Sequence, residues 1–165
     1  MSPARSPDYT DRLFRAAYAL CGSRADAEEL VRETFATPIK RRRFVHRGGD
    51  AVHLMRALRR AWIDHERARP TLPAANDLPE PTPPEPIDWV VDRSGNPGVF
   101  ALDVKRAYDA VGKLSPQLRE VIAAVDVLGL SHRDAARALR MRRRTLTSRL
   151  HRAREHVAAA LEETS

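Results

Sequence analysis

Cysteine is almost missing from this chain: Cys21 stands alone among 165 residues. A single thiol excludes an internal disulfide and any cysteine-built metal cluster. Its place in an apolar helical stretch suits a buried core thiol. Aromatic residues make up only 5%, too few for a single large β-sandwich, whose strands are rich in them. No stretch approaches the roughly 18 consecutive apolar residues of a membrane span. The first eleven residues are polar and carry no apolar signal core, so the expected location is the cytoplasm. The histidines (His46, His53, His65, His132, His151 and His156) fall in no H-E-x-x-H or ligand-pair spacing. Gly48-Gly49 follows no strand and lacks the rest of a phosphate loop. No Ser/His/Asp order carries the flanking context of a hydrolase. These absences argue against an enzyme, a metal site and a bound cofactor.

What is present is charge on a core-forming background. Hydrophobic residues are 42%, charged residues 31%, and the formal net charge is +7. The length suits one ordinary domain or two small ones. Of 29 basic residues only Lys40, Lys105 and Lys113 are lysine. Arginine forks suit phosphates and guanine edges, which makes a polyanionic partner plausible. A GC-rich coding bias would also enrich Arg, Ala and Pro, so composition alone does not decide. Position helps. Residues 1–69 carry 15 Lys/Arg and 9 Asp/Glu, residues 70–98 one Arg and five acids, and residues 99–165 13 Lys/Arg and 8 Asp/Glu. The acidic middle zone also holds eight of the twelve prolines, which fix φ and remove donors. The expectation is two small basic domains, 1–69 and 99–165, joined by a flexible Pro-rich acidic linker over 70–98.

Both flanks read as all-α. Tyr9, Leu13, Phe14, Ala17, Tyr18 and Cys21 recur at helical spacing, and Gly22 ends that helix. Ser23 and Asp26 begin a capping box for a second helix with an apolar stripe of Ala27, Leu30, Val31 and Phe35. Lys40-Arg41-Arg42-Arg43-Phe44 and His46-Arg47-Gly48-Gly49 follow. Basic residues beside an aromatic and a glycine-rich loop can hold a nucleic-acid strand and stack a base. Asp50 can cap a third helix bearing Met55, Leu58 and Trp62 on one stripe, with Arg56, Arg59 and Arg60 elsewhere.

The last domain is sharper. Leu102, Val104, Tyr108 and Val111 suggest one helix, and Ser115-Pro116 opens another. Leu118, Val121, Ile122, Val125 and Leu128 are its stripe, and Gly129 its stop. Ser131 caps a short helix, a tight turn spans Arg140 to Arg143, and Leu146, Leu150, Ala153, Val157 and Leu161 mark a long one. Short helix, turn and longer basic helix make a helix-turn-helix pattern. From Arg140 to Arg154, seven of fifteen residues are arginine and none is acidic. That face suits the major groove, although a four-helix bundle with a solvated arginine face would share it.

The segment "VIAAVDVLGLSHRDAARALRMRRRTLTSRLHRAREHV", Val121 to Val157, resembles region 4 of bacterial sigma factors of the extracytoplasmic-function (ECF) group. Asp126, Gly129, Leu130, Ser131, Thr145, Ser148, Arg149, Leu150, Arg152, Ala153 and Arg154 match the family pattern. "GSRADAEELVRETF" (Gly22 to Phe35) resembles the core-binding helix of region 2, and "LMRALRRAWIDHERAR" (Leu54 to Arg69) its −10 reading helix. The resemblance implies that Glu29, Leu30, Arg32 and Glu33 meet the β′ clamp helices of core RNA polymerase. It implies that Arg43, Phe44, His46, Arg47, Arg56, Arg59 and Arg60 hold the −10 strand of promoter DNA. It implies that Arg144, Thr145, Thr147, Ser148, His151 and Arg152 read the −35 element. The polymerase β flap and a sequestering anti-sigma protein are further implied partners. Arg142-Arg143-Arg144 stands where the family usually has Pro-x-Gly before the recognition-helix Thr, which adds phosphate affinity. Two other readings compete: a free-standing helix-turn-helix regulator, and a degenerate homologue that binds core without initiating.

Overall fold

The computed structural model describes residues 7–36, 47–69 and 97–163. Among these, all regular structure is helical. The helices are α1 (Pro7–Cys21), α2 (Arg24–Ala36), α3 (Arg47–Ala68), α4 (Pro97–Gly112), α5 (Pro116–Ile122), α6 (His132–Ala138) and α7 (Arg143–Glu163). A π-helical turn, Ala123–Val127, extends α5. The acidic linker lies outside the described residues except for Pro97 and Gly98, which open α4.

Local chemistry sets most boundaries. Gly22 at φ +71° turns the chain out of α1, as only a residue without Cβ does cheaply. Ser23 then caps α2: its Oγ accepts from the Asp26 N–H at 3.4 Å. Ser131 caps α6 more closely, at 3.1 Å from the Asp134 N–H. Ser115 differs from the expectation. It precedes α5 but its hydroxyl makes no capping bond, and the proline after it starts the helix instead, its φ already helical. Asp50 is also not a cap. α3 begins three residues earlier, at Arg47, and Asp50 lies in its first turn, where a carboxylate suits the positive helix end.

α1, α2 and α3 pack on one another, and α4, α5, α6 and α7 form a second group around α7. The two groups are not independent. α1 lies against the π turn, α4 and α5, and α3 lies against α6. One continuous core runs through both, from Leu13, Leu20, Leu30, Leu54, Met55 and Leu58 to Val121, Leu128, Leu146 and Leu150. Burying each such side chain contributes about 1.5–3 kcal/mol. The seam also carries directed contacts. The Arg119 guanidinium donates to the Leu20 carbonyl at 2.9 Å, and Tyr18 meets Tyr108 edge-on at 5.3 Å between ring centroids. Phe35 departs from its expected stripe: it is 37% exposed at the last turn of α2.

Candidate nucleic-acid interface

The helix-turn-helix consists of α6, the turn Leu139–Arg142 and α7. Arg140 closes α6 with φ +51°, a left-handed conformation usually left to glycine. The Met141 N–H reaches back to the Ala136 carbonyl at 3.0 Å and the Arg140 N–H to that of Arg137 at 3.4 Å, a Schellman closure built on arginine. Leu146, Leu150 and Ala153 are buried. Their four- and three-residue spacing turns the opposite face outward. Arg143, Arg144, Thr147, Ser148 and His151 line one shallow groove there. Arg152 is exposed beyond it and Thr145 half-buried beside it. Thr147 donates its hydroxyl hydrogen to the Arg143 carbonyl at 3.0 Å, so it offers a methyl and a lone pair outward. The His151 Nε2 lies 3.1 Å from Glu155, one turn on.

Arg154 belongs to a different structure. Its Nε donates to Asp126 Oδ2 at 3.0 Å and its Nη2 to the other carboxylate oxygen. These bonds raise the guanidinium above its ordinary pKa. The fork ties α7 to the π turn.

The arginines of α3 are less free than expected. Of Arg56, Arg59 and Arg60, only Arg60 is exposed. The Arg56 Nη2 donates to the Arg137 carbonyl of α6 at 3.0 Å. The Arg59 Nε lies 3.1 Å from Glu120 Oε1 of α5, and Glu120 is nearly buried, at 8% side-chain exposure. That contact has the distance of an ion pair without the alignment of a hydrogen bond, and the buried Nε has no hydrogen-bonding acceptor. Arg43, Phe44 and His46 lie outside the described residues, as does the side chain of Arg47.

On α2, Glu28, Glu29, Arg32 and Glu33 share one exposed face that continues to Phe35 and Ala36. Leu30 points the other way and is wholly buried, so it supports this face rather than forming part of it. Asp26, Glu29 and His65 bring oxygen and nitrogen atoms within 4.8 Å of one another. The Arg69 guanidinium, 3.4 Å from Asp26, already supplies positive charge there. Cys21 sits next to this corner with its thiol half-buried. Burial pushes its pKa up to about 11, so it is an inert thiol.

Residues 8–70 match the family model "Sigma-70 region 2" and residues 105–157 match "Sigma-70, region 4". The two matches follow one another in family order around the acidic segment. The chain belongs to the sigma-70 family. The ECF RNA polymerase sigma factor SigE of Mycolicibacterium smegmatis is 28% identical over 160 residues, covering 95% of this chain and 60% of that protein. The fold is similar to that of the sigma factor RpoE of Bartonella quintana, solved with the anti-sigma factor NepR. There the TM-score is 0.62 at 20% identity, over 93% of this chain and 91% of that one. It is also similar to CnrH, solved with the cytosolic domain of CnrY, with a TM-score of 0.59 at 19% identity over 96% and 84% of the chains.

In these terms α1 to α3 fall in region 2, and the helices from Lys105 onward in region 4. Of the α7 residues expected from sequence, Arg144, Thr147, Ser148 and His151 line this groove and Arg152 is exposed beyond it; Thr145 is half-buried, and Arg143, which also lines the groove, was not among them. Sequence reading missed the partners of Arg56 and Arg59, because nothing in α3 alone reveals which surface packs on it. It quoted Asp126 and Arg154 as motif matches without seeing that they pair across 28 positions. Opposite charges at matched positions of one motif were the available signal. No helix among the described residues is long and apolar enough to cross a membrane.

Proposed function

We propose that this chain is a non-catalytic initiation factor that binds core RNA polymerase and directs it to promoters. The observation that carries this reading is the ordered pair of sigma-70 regions, with the basic outer face of α7 open to solvent. In this reading the exposed face of α2, with Glu29, Arg32 and Glu33, docks on the β′ clamp helices. Region 4 meets the β flap. The α7 face of Arg144, Thr145, Thr147, Ser148, His151 and Arg152 enters the major groove of the −35 element. Backbone phosphates attract its arginines, and side-chain forks read base edges. Arg56, Arg59 and Arg60, with Arg43, Phe44, His46 and Arg47 before them, hold the melted −10 strand. The similar RpoE was solved bound to the anti-sigma factor NepR, which supports a sequestering partner of that kind here, and the cytosolic domain bound to the similar CnrH suits a cytoplasmic place of action.

Run-off transcription across the encoding genome, with purified core polymerase, tests this. New start sites sharing two upstream elements about one and a half helical turns apart are the expected result. Core binding without new starts would instead assign the chain as a competitor for polymerase. Tight duplex binding with neither would leave a free-standing regulator.

A further inference from the structure

Two of the α3 arginines that the proposed function sends to promoter DNA, Arg56 and Arg59, already have acceptors inside the molecule, and both acceptors lie in region 4. Arg56 donates to the Arg137 carbonyl. Arg59 faces the Glu120 carboxylate. Arg56, Arg59 and Arg60 lie within one sector of the helix at i, i+3 and i+4 spacing, so a strand laid along this sector would need the space that α5 and α6 now fill. An oxygen of a carbonyl or carboxylate is also what a phosphate would offer these guanidinium groups.

The Arg59–Glu120 contact is poorly made for a permanent seam. Glu120 has given up nearly all its water, and among the described residues Arg59 is the cation within ion-pair distance of it. A buried pair recovers its desolvation cost only with excellent geometry, and an apolar pair of the same volume would hold such an interface better. Here the Arg59 Nε is buried and not aligned on its acceptor. Two more buried nitrogens of α3, Trp62 Nε1 and His65 Nδ1, also lack hydrogen-bond partners. The helix is thus held with unspent hydrogen-bonding capacity along one side.

We propose that Glu120 is a positioning residue that stands in for a DNA phosphate: while region 4 packs on region 2 it keeps Arg59 from the −10 strand, and opening the seam hands Arg59 to DNA. This rests on the proposed function, and its test is separable from it. The probe is fluorescein-labelled oligothymidylate, bound to the full chain and followed by fluorescence anisotropy between about 50 and 200 mM salt. Glu120→Gln is expected to bind about three- to tenfold more tightly than the parent. Its plot of log affinity against log salt should steepen by about 0.7 for each phosphate gained. Adding Arg59→Gln to Glu120→Gln should abolish both gains, which a merely structural role for Glu120 would not require. A folded Glu120→Gln variant with the parent's affinity and salt slope would overturn the proposal, as would a gain that survives Arg59→Gln.

If Glu120→Gln does not fold, hydrogen exchange on the unaltered chain carries the test. Saturating oligothymidylate should raise exchange in α5, and unchanged protection there would overturn the proposal. Failure of the unaltered chain to bind core polymerase would remove the proposed function, while these oligonucleotide measurements would still decide the coupling of Arg59 to Glu120.

Discussion

The fork between Arg154 and Asp126 makes a sharp quantitative test of how region 4 is held. Two nitrogens of one guanidinium meet two oxygens of one carboxylate, the geometry in which a surface ion pair is worth more than its usual few tenths of a kcal/mol. Solvent screening trims the value, because the side chains are 52% and 35% exposed. A coupling of about 1 kcal/mol is therefore expected, near the top of the exposed-pair range. The experiment is a double-mutant cycle of Asp126→Asn, Arg154→Gln and the double variant, read from urea unfolding monitored by circular dichroism. The coupling should shrink by roughly half or more in 1 M salt, where the screening length is about 3 Å. A coupling below about 0.3 kcal/mol, or one indifferent to salt, would show that the fork does not hold α7 to the π turn.

Arg140→Gly should stabilise the chain by about 0.5–1 kcal/mol, seen as a higher urea midpoint, because it relieves the left-handed residue that ends α6. Cys21 should resist iodoacetamide at pH 8 until the chain unfolds, since its thiol is held protonated. Burial raises Tyr108 as well, to about 12, chiefly by desolvation. Folded pKa values above the ordinary 9 and 10 of these two groups mean that their contribution is complete below pH 9. It is lost as pH climbs through 9 to 12, so the urea midpoint should fall on the alkaline side. Glu33→Lys should weaken core binding in gel filtration by tenfold or more, about 1.4 kcal/mol, with unchanged helicity. Leu30→Ala should instead cost about 2–5 kcal/mol of stability, because Leu30 is wholly buried. Arg144→Ala should lower the salt slope of duplex binding by about 0.9, the signature of one lost phosphate contact.

The helical periods were readable because each buried stripe repeats at three and four residues, and the caps were readable where a hydroxyl precedes a helix. What local pattern could not supply was the seam. Arg119 reaches the Leu20 carbonyl across 99 positions and Arg56 that of Arg137 across 81. A carbonyl acceptor leaves no mark in a side-chain pattern. Ser115 misled because a serine before a proline looks like a cap whether or not its hydroxyl is used. The π turn was hidden for a related reason: Val125 and Leu128 fit an ordinary helical stripe, yet the Leu128 N–H bonds five residues back, to Ala123. The outer face of α7 needed none of this knowledge. Its exposure follows from Leu146, Leu150 and Ala153 alone.

The seam joins apolar burial to polar contacts at both ends: Arg119 donates to the Leu20 carbonyl of α1, and Arg56 and Arg59 of α3 face the Arg137 carbonyl and Glu120. Each half of the chain is small, and a small domain buries a smaller fraction of its surface than a large one. Packing α1 on the π turn, α4 and α5 adds the missing apolar burial and hides faces that would otherwise invite aggregation. Separating α3 from α6 re-exposes apolar surface as well, and that burial opposes opening. Arginines at this edge change the balance. When the halves separate, Arg56 and Arg59 regain water or find phosphate, so part of the lost interaction is replaced on the open side. The arginines of α3 thus lower the net cost of separating it from α5 and α6 whenever an anionic strand is there to receive Arg56 and Arg59.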